Sequence, residues 1–340
     1  MALRSFLTAN AKDGGLFQSD EWARLQAASG HEAHPLQGIG FEGHVFMYTL
    51  PVIGRYLFLP RGPIIDAAAF ASEEFRRQLI GLAEMTQAAW LRVEPQTEEA
   101  LGLLRAAFGL SRVVAAPRDM NPRETFMASL DGGPGDWLER MKPKTRYNIR
   151  LAEKHGVTVR FSRSDEDIEG FLDLIYATTS RKSIAPHPKE YYRNFFRVFP
   201  EGECVLALAE HDRQTIAGAL LVFFEGTAYY LHGGSADAKR ELMAPFLLHL
   251  RSMEEAKRRG CRRYDFGGVR VRSKQSASDA GWDGITRFKQ GFAAGTETLL
   301  FPGTYDIILS PFRYALYLKA RRFSEWRRKL RTLSSRIISL

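Results

Sequence analysis

The hydrophobic pattern is clearest between residues 217 and 268, where short apolar runs and a helical repeat follow one another. The predicted elements are two strands, a helix and a third strand: Ala217–Phe224, Thr227–Leu231, the segment from Pro245 to Arg259, and Arg263–Phe266. Glu225-Gly226, between the first two strands, is a signal for a hairpin turn. In the helical segment, apolar residues recur at spacings of four and three, and Gly260 follows as a C-terminal cap.

The first half of the chain repeats this order of elements with negligible sequence identity. Its predicted elements are the strands His44–Leu50 and Tyr56–Leu59, the helix Phe75–Ala89 and the strand Trp90–Val93. The repeated order is that of the core of an N-acyltransferase fold. The sequence therefore predicts an α/β protein with mixed (α+β) sheets, built from two N-acetyltransferase-like (GNAT-like) domains in tandem.

The clearest break in the chain is the glycine-rich segment Asp131–Gly135. We place the domain boundary between Pro117 and Gly135. The first predicted domain covers residues 1–125 and is completed by a helical tail at 305–340. The second covers residues 126–304 and carries the proposed active site.

Length and composition restrict the class of protein. With 340 residues, 45% of them hydrophobic and 26% charged, the chain is globular and long enough for two domains. No apolar run reaches the roughly 20 residues that a membrane span needs. Two cysteines are too few for a disulfide framework, and the N-terminus lacks the pattern of a signal peptide. We therefore expect a cytoplasmic protein, and its net charge of +9 permits polyanionic partners.

Basic residues gather on one predicted helix, which Pro143 separates from a shorter helix before it. Three of them recur at i, i+4 and i+8 and form one stripe: Arg146, Arg150 and Lys154. Tyr147 and Leu151 are expected to face a core. The stripe is either a solvated helix face or a contact surface for a polyanion.

The tail after Pro311 is predicted as one or two helices in which Phe312, Leu316 and Trp326 alternate with many arginines. It either packs on the first domain with a hydrated basic face or makes an interfacial contact with a membrane or RNA. The pattern leaves both alternatives open.

Several catalytic motifs are absent from the sequence. It contains no GxSxG nucleophile elbow, no HExxH zinc motif and no GxxxxGK[ST] phosphate loop. An acetyl-CoA enzyme of this fold needs a glycine-rich loop before the helix of Pro245, where this chain has Ser235–Arg240 without a glycine. An acyl-CoA donor is therefore disfavoured, and the scaffold needs another activated acyl donor.

Six short motifs occur in one order between Thr145 and Pro311: TRYNIRLAEKHGV, HPKEYYRNF, YYLHGGS, RRYDFGGV, RFKQGF and GTYDIILSP. Together they resemble the Fem family of aminoacyltransferases, which build the interpeptide bridges of peptidoglycan. RGPIID and SDEWARL extend the resemblance into the first half. Each motif alone is weak, and the resemblance rests on their number and order.

The resemblance implies two acyltransferase-like domains without the coiled-coil arm that some relatives carry. It also implies transfer of an amino acid from aminoacyl-tRNA to the side-chain amine of the stem peptide in a peptidoglycan precursor. That precursor is a nucleotide-linked (UDP) or lipid-linked muropeptide. No metal or coenzyme A is implied. We expect a monomer in the cytoplasm, with peripheral contact to the inner membrane face as a further expectation, and with tRNA on the stripe of Arg146, Arg150 and Lys154.

The resemblance places Lys289 at the reaction centre, next to Phe288. An ammonium group there stabilises the tetrahedral oxyanion or the departing ribose oxygen, and no covalent enzyme nucleophile is required. The alternative for Lys289 is a surface lysine on a sheet edge. Asp265 either accepts a proton from the attacking amine or holds a turn, and Tyr230 either lines the acceptor cleft or belongs to the core.

The expected acceptor-binding residues depart from the family pattern. Two positions that carry phosphate-gripping cations in relatives are Gln26 and His187 here, and one tyrosine of a tyrosine pair is His232. Tyr191, Tyr230 and Arg61 complete the predicted set. The pyrophosphate is then held differently, by Arg61 or by the basic helix, or the acceptor is another amine.

Two alternative functions stay open at this point. One is an N-acyltransferase of the same fold with a different amine acceptor or acyl donor. The other is a catalytically silent relative that binds RNA or an anionic membrane through its basic faces.

Overall fold

The computed structural model of the protein describes residues 2–181, 185–270, 280–293, 295, 296 and 298–337. The chain divides into two compact units. The C-terminal unit contains Met1–Leu16, Ala27–Gly30 and Pro122–Phe301, and the N-terminal unit contains Phe17–Gln26, His31–Asn121 and Pro302–Leu340.

The secondary structure alternates between strands and helices in both units. The strands are β1 Glu32–Gly38, β2 Phe41–Leu50, β3 Gly54–Leu59, β4 Ile64–Ile65, β5 Ala88–Val93, β6 Val113–Ala115, β7 Glu124–Ser129, β8 Thr158–Ser162, β9 Cys204–His211, β10 Gln214–Phe224, β11 Thr227–Ser235, β12 Arg263–Val269, β13 Leu299–Leu300 and β14 Tyr305–Ile308. The α-helices are α1 Ala2–Asn10, α2 Asp20–Ala28, α3 Ser72–Thr86, α4 Glu98–Phe108, α5 Pro134–Arg140, α6 Pro143–Lys154, α7 Asp165–Arg181, α8 Lys189–Val198, α9 Ala244–Arg258, α10 Ala280–Lys289 and α11 Pro311–Ile337.

The sheet of the N-terminal unit has the order β1-β2-β3-β5-β14-β6, and β4 pairs with β2. Its β14 comes from the end of the chain and pairs antiparallel with both β5 and β6. The prediction of a helix at Phe75–Ala89 was wrong about its C-terminal end. α3 ends at Thr86, because Gln87 adopts the left-handed conformation with φ 56°. Ala88 and Ala89 therefore belong to β5.

A buried ion pair holds α11 on the N-terminal sheet. The Arg92 guanidinium donates two hydrogen bonds to the Asp306 carboxylate, at 2.7 and 2.8 Å, and both side chains are almost completely buried. The Tyr314 hydroxyl donates to the same carboxylate at 2.8 Å, and Tyr317 accepts from Arg92 at 3.1 Å. Trp90 stacks on Tyr317 with ring centroids 4.8 Å apart. The inner face of α11 is thus fixed by charge-assisted hydrogen bonds and aromatic packing.

The sheet of the C-terminal unit has the order β13-β7-β12-β11-β10-β9-β8. β10 and β11 form the predicted hairpin, in which Glu225 and Gly226 have φ of 43° and 75°, as a tight turn between twisted strands requires. α9 then crosses over to β12, which pairs parallel with β11. The predicted order of strand, hairpin, strand, helix and strand is confirmed.

The N-terminal segment does not belong where the sequence analysis placed it. Residues 1–125 were assigned to the first domain, but Met1–Leu16 packs in the C-terminal unit. Arg4 forms an ion pair with Glu225 at 3.2 Å, and the Tyr229 hydroxyl donates to the Asp13 carbonyl at 2.6 Å. These contacts join α1 and the loop after it to the β10–β11 hairpin.

Both units are mixed α/β layers, so the predicted fold class is confirmed. In the described part of the C-terminal unit the longest helix is α7, with 17 residues, and no coiled-coil arm is present there. Within the described residues, no helix has the length and apolar character needed to cross a membrane.

Candidate active site

The main feature of the C-terminal sheet is an opening between β11 and β12. Their parallel pairing ends at Tyr229 and Asp265, although the strands continue to Ser235 and Val269. A register irregularity between β12 and its other neighbour, β7, falls between Asp265 and Gly268, where the pairing with β11 has ended. Backbone and side-chain groups beyond the last pair are therefore available to a ligand.

Lys289 places its ammonium group at this opening. Nζ donates to the Gly268 carbonyl at 2.8 Å and lies 5.9 Å from the centre of the Tyr230 ring. Only 8% of Lys289 is exposed to solvent. Gly267 has φ 73°, in the left-handed region that favours glycine, so the turn presenting the Gly268 carbonyl depends on this residue type. The Lys289 ammonium is therefore held in a largely desolvated position.

Two clefts meet at Phe288. The first has a volume of about 380 Å³ and is lined by Tyr230, Gly268, Trp282, Ile285, Phe288 and Lys289, among others. The second has about 340 Å³ and is lined by Phe288 together with Arg181, Lys239, Arg240, Pro245 and Phe246, among others. Phe288 packs edge-to-face on Phe246 with centroids 4.8 Å apart. The two clefts next to this ring offer room for an extended substrate.

Asp265 holds the turn beside the cleft. Its Oδ1 accepts hydrogen bonds from the Gly267 N–H at 2.7 Å and from the Thr125 hydroxyl. This is the geometry of the structural alternative considered from the sequence, in which Asp265 holds the turn at Gly267-Gly268.

His249 lies against the site and was not identified from the sequence. Its ring meets that of Tyr230 edge-to-face with centroids 4.7 Å apart, and its Nδ1 lies 3.1 Å from the Tyr264 hydroxyl. Burial, and then the charge of Lys289, lower the pKa of His249 to about 3. Burial raises the pKa of Tyr230 to about 12. Both rings are therefore neutral at pH 7. The spacing of three from Phe246 in α9 was the available signal, since it puts His249 on the buried helix face.

A second group of predicted residues forms an aromatic cluster. The His187 ring stacks on Tyr191 with centroids 4.1 Å apart, and His232 meets both rings at 5.8 and 5.6 Å. Burial, and then the neighbouring His187, lower the pKa of His232 to about 3. Desolvation also lowers the pKa of His187, although this residue is exposed at the surface. The cluster is neutral at pH 7, so it does not replace a phosphate-binding cation.

The other two predicted acceptor-binding residues lie in the N-terminal unit. Gln26 is buried and accepts a hydrogen bond from the Tyr48 hydroxyl at 3.1 Å. Arg61 is also buried, and its backbone N–H donates to Glu94 at 3.1 Å while its carbonyl accepts from Gln96 at 2.8 Å. These contacts lie within the N-terminal unit.

The structure divides the basic stripe of α6 into two parts. Arg146 donates to the carbonyls of Leu138 and Met141 at the end of α5, so it caps that helix. Arg150 and Lys154 are exposed. The expectation that Tyr147 faces a core was wrong, because 63% of it is exposed. The buried face of α6 consists of Thr145, Asn148, Ile149 and Ala152.

The chain is similar to several known proteins. Residues 140–290 match the family model described as an acetyltransferase (GNAT) domain. The lipid II:glycine glycyltransferase of Staphylococcus aureus is 22% identical over an alignment of 396 residues, which covers 89% of this chain and 90% of that protein. The crystal structure of FemX superposes with a TM-score of 0.76 at 19% identity, over 93% of this chain and 97% of that one.

The resemblance to the Fem family is confirmed. A more distant structure, that of L-PGS from Bacillus licheniformis, has a TM-score of 0.54 at 13% identity and covers 91% of both chains. These likenesses cover nearly the whole chain, and the matched GNAT region contains the opening between β11 and β12. The interpretation as an acyltransferase is confirmed at the level of the enzyme class, and the individual site residues stay predictions.

Proposed function

We propose that this protein transfers an amino acid from aminoacyl-tRNA to the side-chain amine of the stem peptide in a peptidoglycan precursor. The observation that carries the proposal is the buried ammonium of Lys289 at the opening between β11 and β12, beside Tyr230 and a cleft of about 380 Å³. The similarity to an enzyme named lipid II:glycine glycyltransferase supports the acceptor class.

The reaction needs alignment and charge stabilisation more than a nucleophilic residue. The acceptor amine attacks the ester carbonyl of the aminoacyl-tRNA, and a C–N bond forms while the carbonyl oxygen takes negative charge. The ester C–O bond then breaks, and the ribose oxygen leaves with the proton that the amine loses. In this proposal Lys289 stabilises the negative oxygen. Asp265 keeps the Gly267-Gly268 turn in place, which fixes the carbonyl that holds the Lys289 ammonium.

The aromatic cluster of His187, Tyr191 and His232 is proposed to bind the uncharged part of the acceptor. Its rings are neutral at pH 7 and offer stacking faces and polar edges, which suit a sugar or peptide better than a pyrophosphate. The linkage of the acceptor to a nucleotide or to a lipid stays a prediction, as do the roles of Gln26 and Arg61.

The exposed face of α6 is proposed to contact the tRNA. Arg150 and Lys154 are exposed, and Tyr147, three residues before Arg150, offers an exposed ring for base stacking. In the described residues, no ion pair neutralises these two cations. Arg146 contributes less to this surface, because its guanidinium caps α5.

A transfer assay tests the proposal directly. The protein is incubated with a mixture of charged tRNAs and with nucleotide-linked or lipid-linked muropeptide, and the muropeptide is then weighed by mass spectrometry. A mass gain of one or more aminoacyl residues, absent with uncharged tRNA and with Lys289→Met, is expected. A mass gain with acetyl-CoA in place of charged tRNA would refute the proposal that aminoacyl-tRNA is the donor. The absence of a mass gain on either muropeptide would refute the proposal that a peptidoglycan precursor is the acceptor.

A further inference from the structure

The outer face of α11 between Phe312 and Trp326 exposes more large apolar side chains than is usual for a surface helix. Four large hydrophobic side chains on this helix are exposed, at 80%, 37%, 57% and 56%: Phe312, Leu316, Phe323 and Trp326. At about 100° per residue they fall within an arc of about 80° on one side of the helix. Phe323 and Trp326 stack with ring centroids 5.8 Å apart.

The opposite side of α11 is already occupied by the protein core. Tyr314 and Tyr317 point away from the exposed arc and pack on Trp90, with ring centroids 5.6 and 4.8 Å away. A helix with one face in the core normally exposes polar residues on the other, because exposed apolar surface is unfavourable in water. The apolar outer face therefore needs a partner to cover it.

Cations accompany this apolar face. Lys319 falls inside the same arc, Arg322 lies about 40° beyond its edge, and both are exposed. Neither forms an ion pair with a described residue. Arg118 and Arg321 line a cleft of about 300 Å³ beside the helix. An apolar face flanked by cations is the composition of a helix that lies in the interface of an anionic bilayer.

We propose that this face, consisting of Phe312, Leu316, Lys319, Arg322, Phe323 and Trp326, docks the protein on an anionic membrane surface. The apolar side chains enter the boundary between headgroups and acyl chains, and the two cations meet lipid phosphates. RNA binding depends mainly on contacts between cations and phosphates, and of the described cations only Lys319 lies within the apolar arc. A symmetric contact between two copies would bring the cations of this face close to the same cations of the partner, which is unfavourable.

The inference rests on the proposed function in one respect: a lipid-linked acceptor lies in the membrane, so membrane docking would bring the enzyme to its substrate. Its test uses vesicles without any acceptor or tRNA, so failure of docking and failure of transfer are distinguishable.

The test is co-sedimentation of the full chain with vesicles of phosphatidylcholine, alone or mixed with phosphatidylglycerol. The triple variant Phe312→Gln, Leu316→Gln and Trp326→Gln is expected to lower partitioning to the anionic vesicles at least about tenfold. Lys319→Gln with Arg322→Gln is expected to weaken binding mainly at low salt.

A matched control removes equally exposed apolar side chains elsewhere in the same unit. Ile39, Met85 and Leu110 are exposed by 67%, 67% and 75%. Their joint replacement by glutamine is expected to leave vesicle binding unchanged. Equal losses in both triple variants would overturn the proposal, as would equal binding of the unaltered protein to both vesicle types. Concentration-dependent dimerisation in ultracentrifugation that only the α11 variant loses would also overturn it, since the face would then join two copies.

Discussion

Replacing Lys289 by methionine removes one positive charge from the cleft and leaves a side chain of similar length. If the ammonium stabilises the oxyanion, its loss resembles the loss of one oxyanion donor, which costs about 100- to 1,000-fold in turnover, or about 3–4 kcal/mol. Because only 8% of Lys289 is exposed, water has little access to replace the lost charge. We expect the upper part of this range, with KM changed little, because the ground-state carbonyl carries less charge than the transition state.

The stability of Lys289→Met is expected to change much less than its activity. The Gly268 carbonyl loses a donor at 2.8 Å, but a buried charge is also removed, and the two effects oppose each other. A second readout needs no substrate: the pKa of His249 should rise in the variant, since the Lys289 charge is one of the two causes that lower it. An NMR titration of the histidine ring measures this.

The assay combines single-turnover transfer of a labelled amino acid to the muropeptide with urea unfolding of the same preparations. Lys257→Met, which removes an exposed lysine of α9, serves as the matched control and is expected to keep full activity. A near-normal transfer rate in Lys289→Met, with an unchanged unfolding curve, would refute the assignment of Lys289 to the reaction centre.

Three further predictions concern stability, pH and RNA. Asp306→Asn leaves a buried guanidinium without its carboxylate and is expected to destabilise the N-terminal unit by about 3–5 kcal/mol in urea unfolding, whereas the exposed Glu169→Gln should change little. His249 has a pKa of about 3 in the fold, below its ordinary 6.5, so the unfolded chain takes up the proton first. Its stabilising contribution is complete above pH 6.5 and falls toward pH 3 by up to about 1.4 kcal/mol per pH unit, and His249→Gln should remove that slope. Arg150→Gln with Lys154→Gln should lower the salt dependence of tRNA binding by about two units in filter binding, without changing amino-acid preference.

Much of the fold follows from local sequence signals. The strand predicted for Trp90–Val93 lies within β5, and the hairpin at Glu225-Gly226 is present. β1, Glu32–Gly38, was missed because its polar residues and its proline mask the alternation expected of a strand. The placement of Met1–Leu16 depends on contacts more than 200 residues away in sequence, such as that of Arg4 with Glu225, which no local pattern encodes.

The candidate site was predicted less completely, for a physical reason. Lys289 and Phe288 came from the motif resemblance and lie together at a cleft. His249 lies on the apolar face of a helix, and sequence alone does not distinguish a histidine that merely fills a core from one whose pKa is lowered by a nearby lysine. The basic stripe of α6 was predicted from residue spacing. Spacing determines which side chains share a helix face, but it does not determine which group each charged side chain contacts. Arg146 donates hydrogen bonds to carbonyls at the end of α5, and this contact depends on how the two helices pack against each other.

The protein has a net charge of +9, but its basic side chains differ in whether acidic neighbours already neutralise them. Many arginines of the C-terminal unit are neutralised locally, for example Arg160 by Asp167 at 2.5 Å and Arg193 by Glu169 at 2.7 Å. Such exposed pairs add little stability, but they remove charge from the surface potential. Among the described residues, the cations of α6 and of the outer face of α11 lack acidic partners, and exposed aromatic side chains lie beside both. Cations with an adjacent exposed ring suit nucleic acid on α6, whereas the broader apolar arc of α11 suits a bilayer. A salt titration should therefore weaken RNA binding strongly and vesicle binding only partly, because apolar burial does not depend on counterion release.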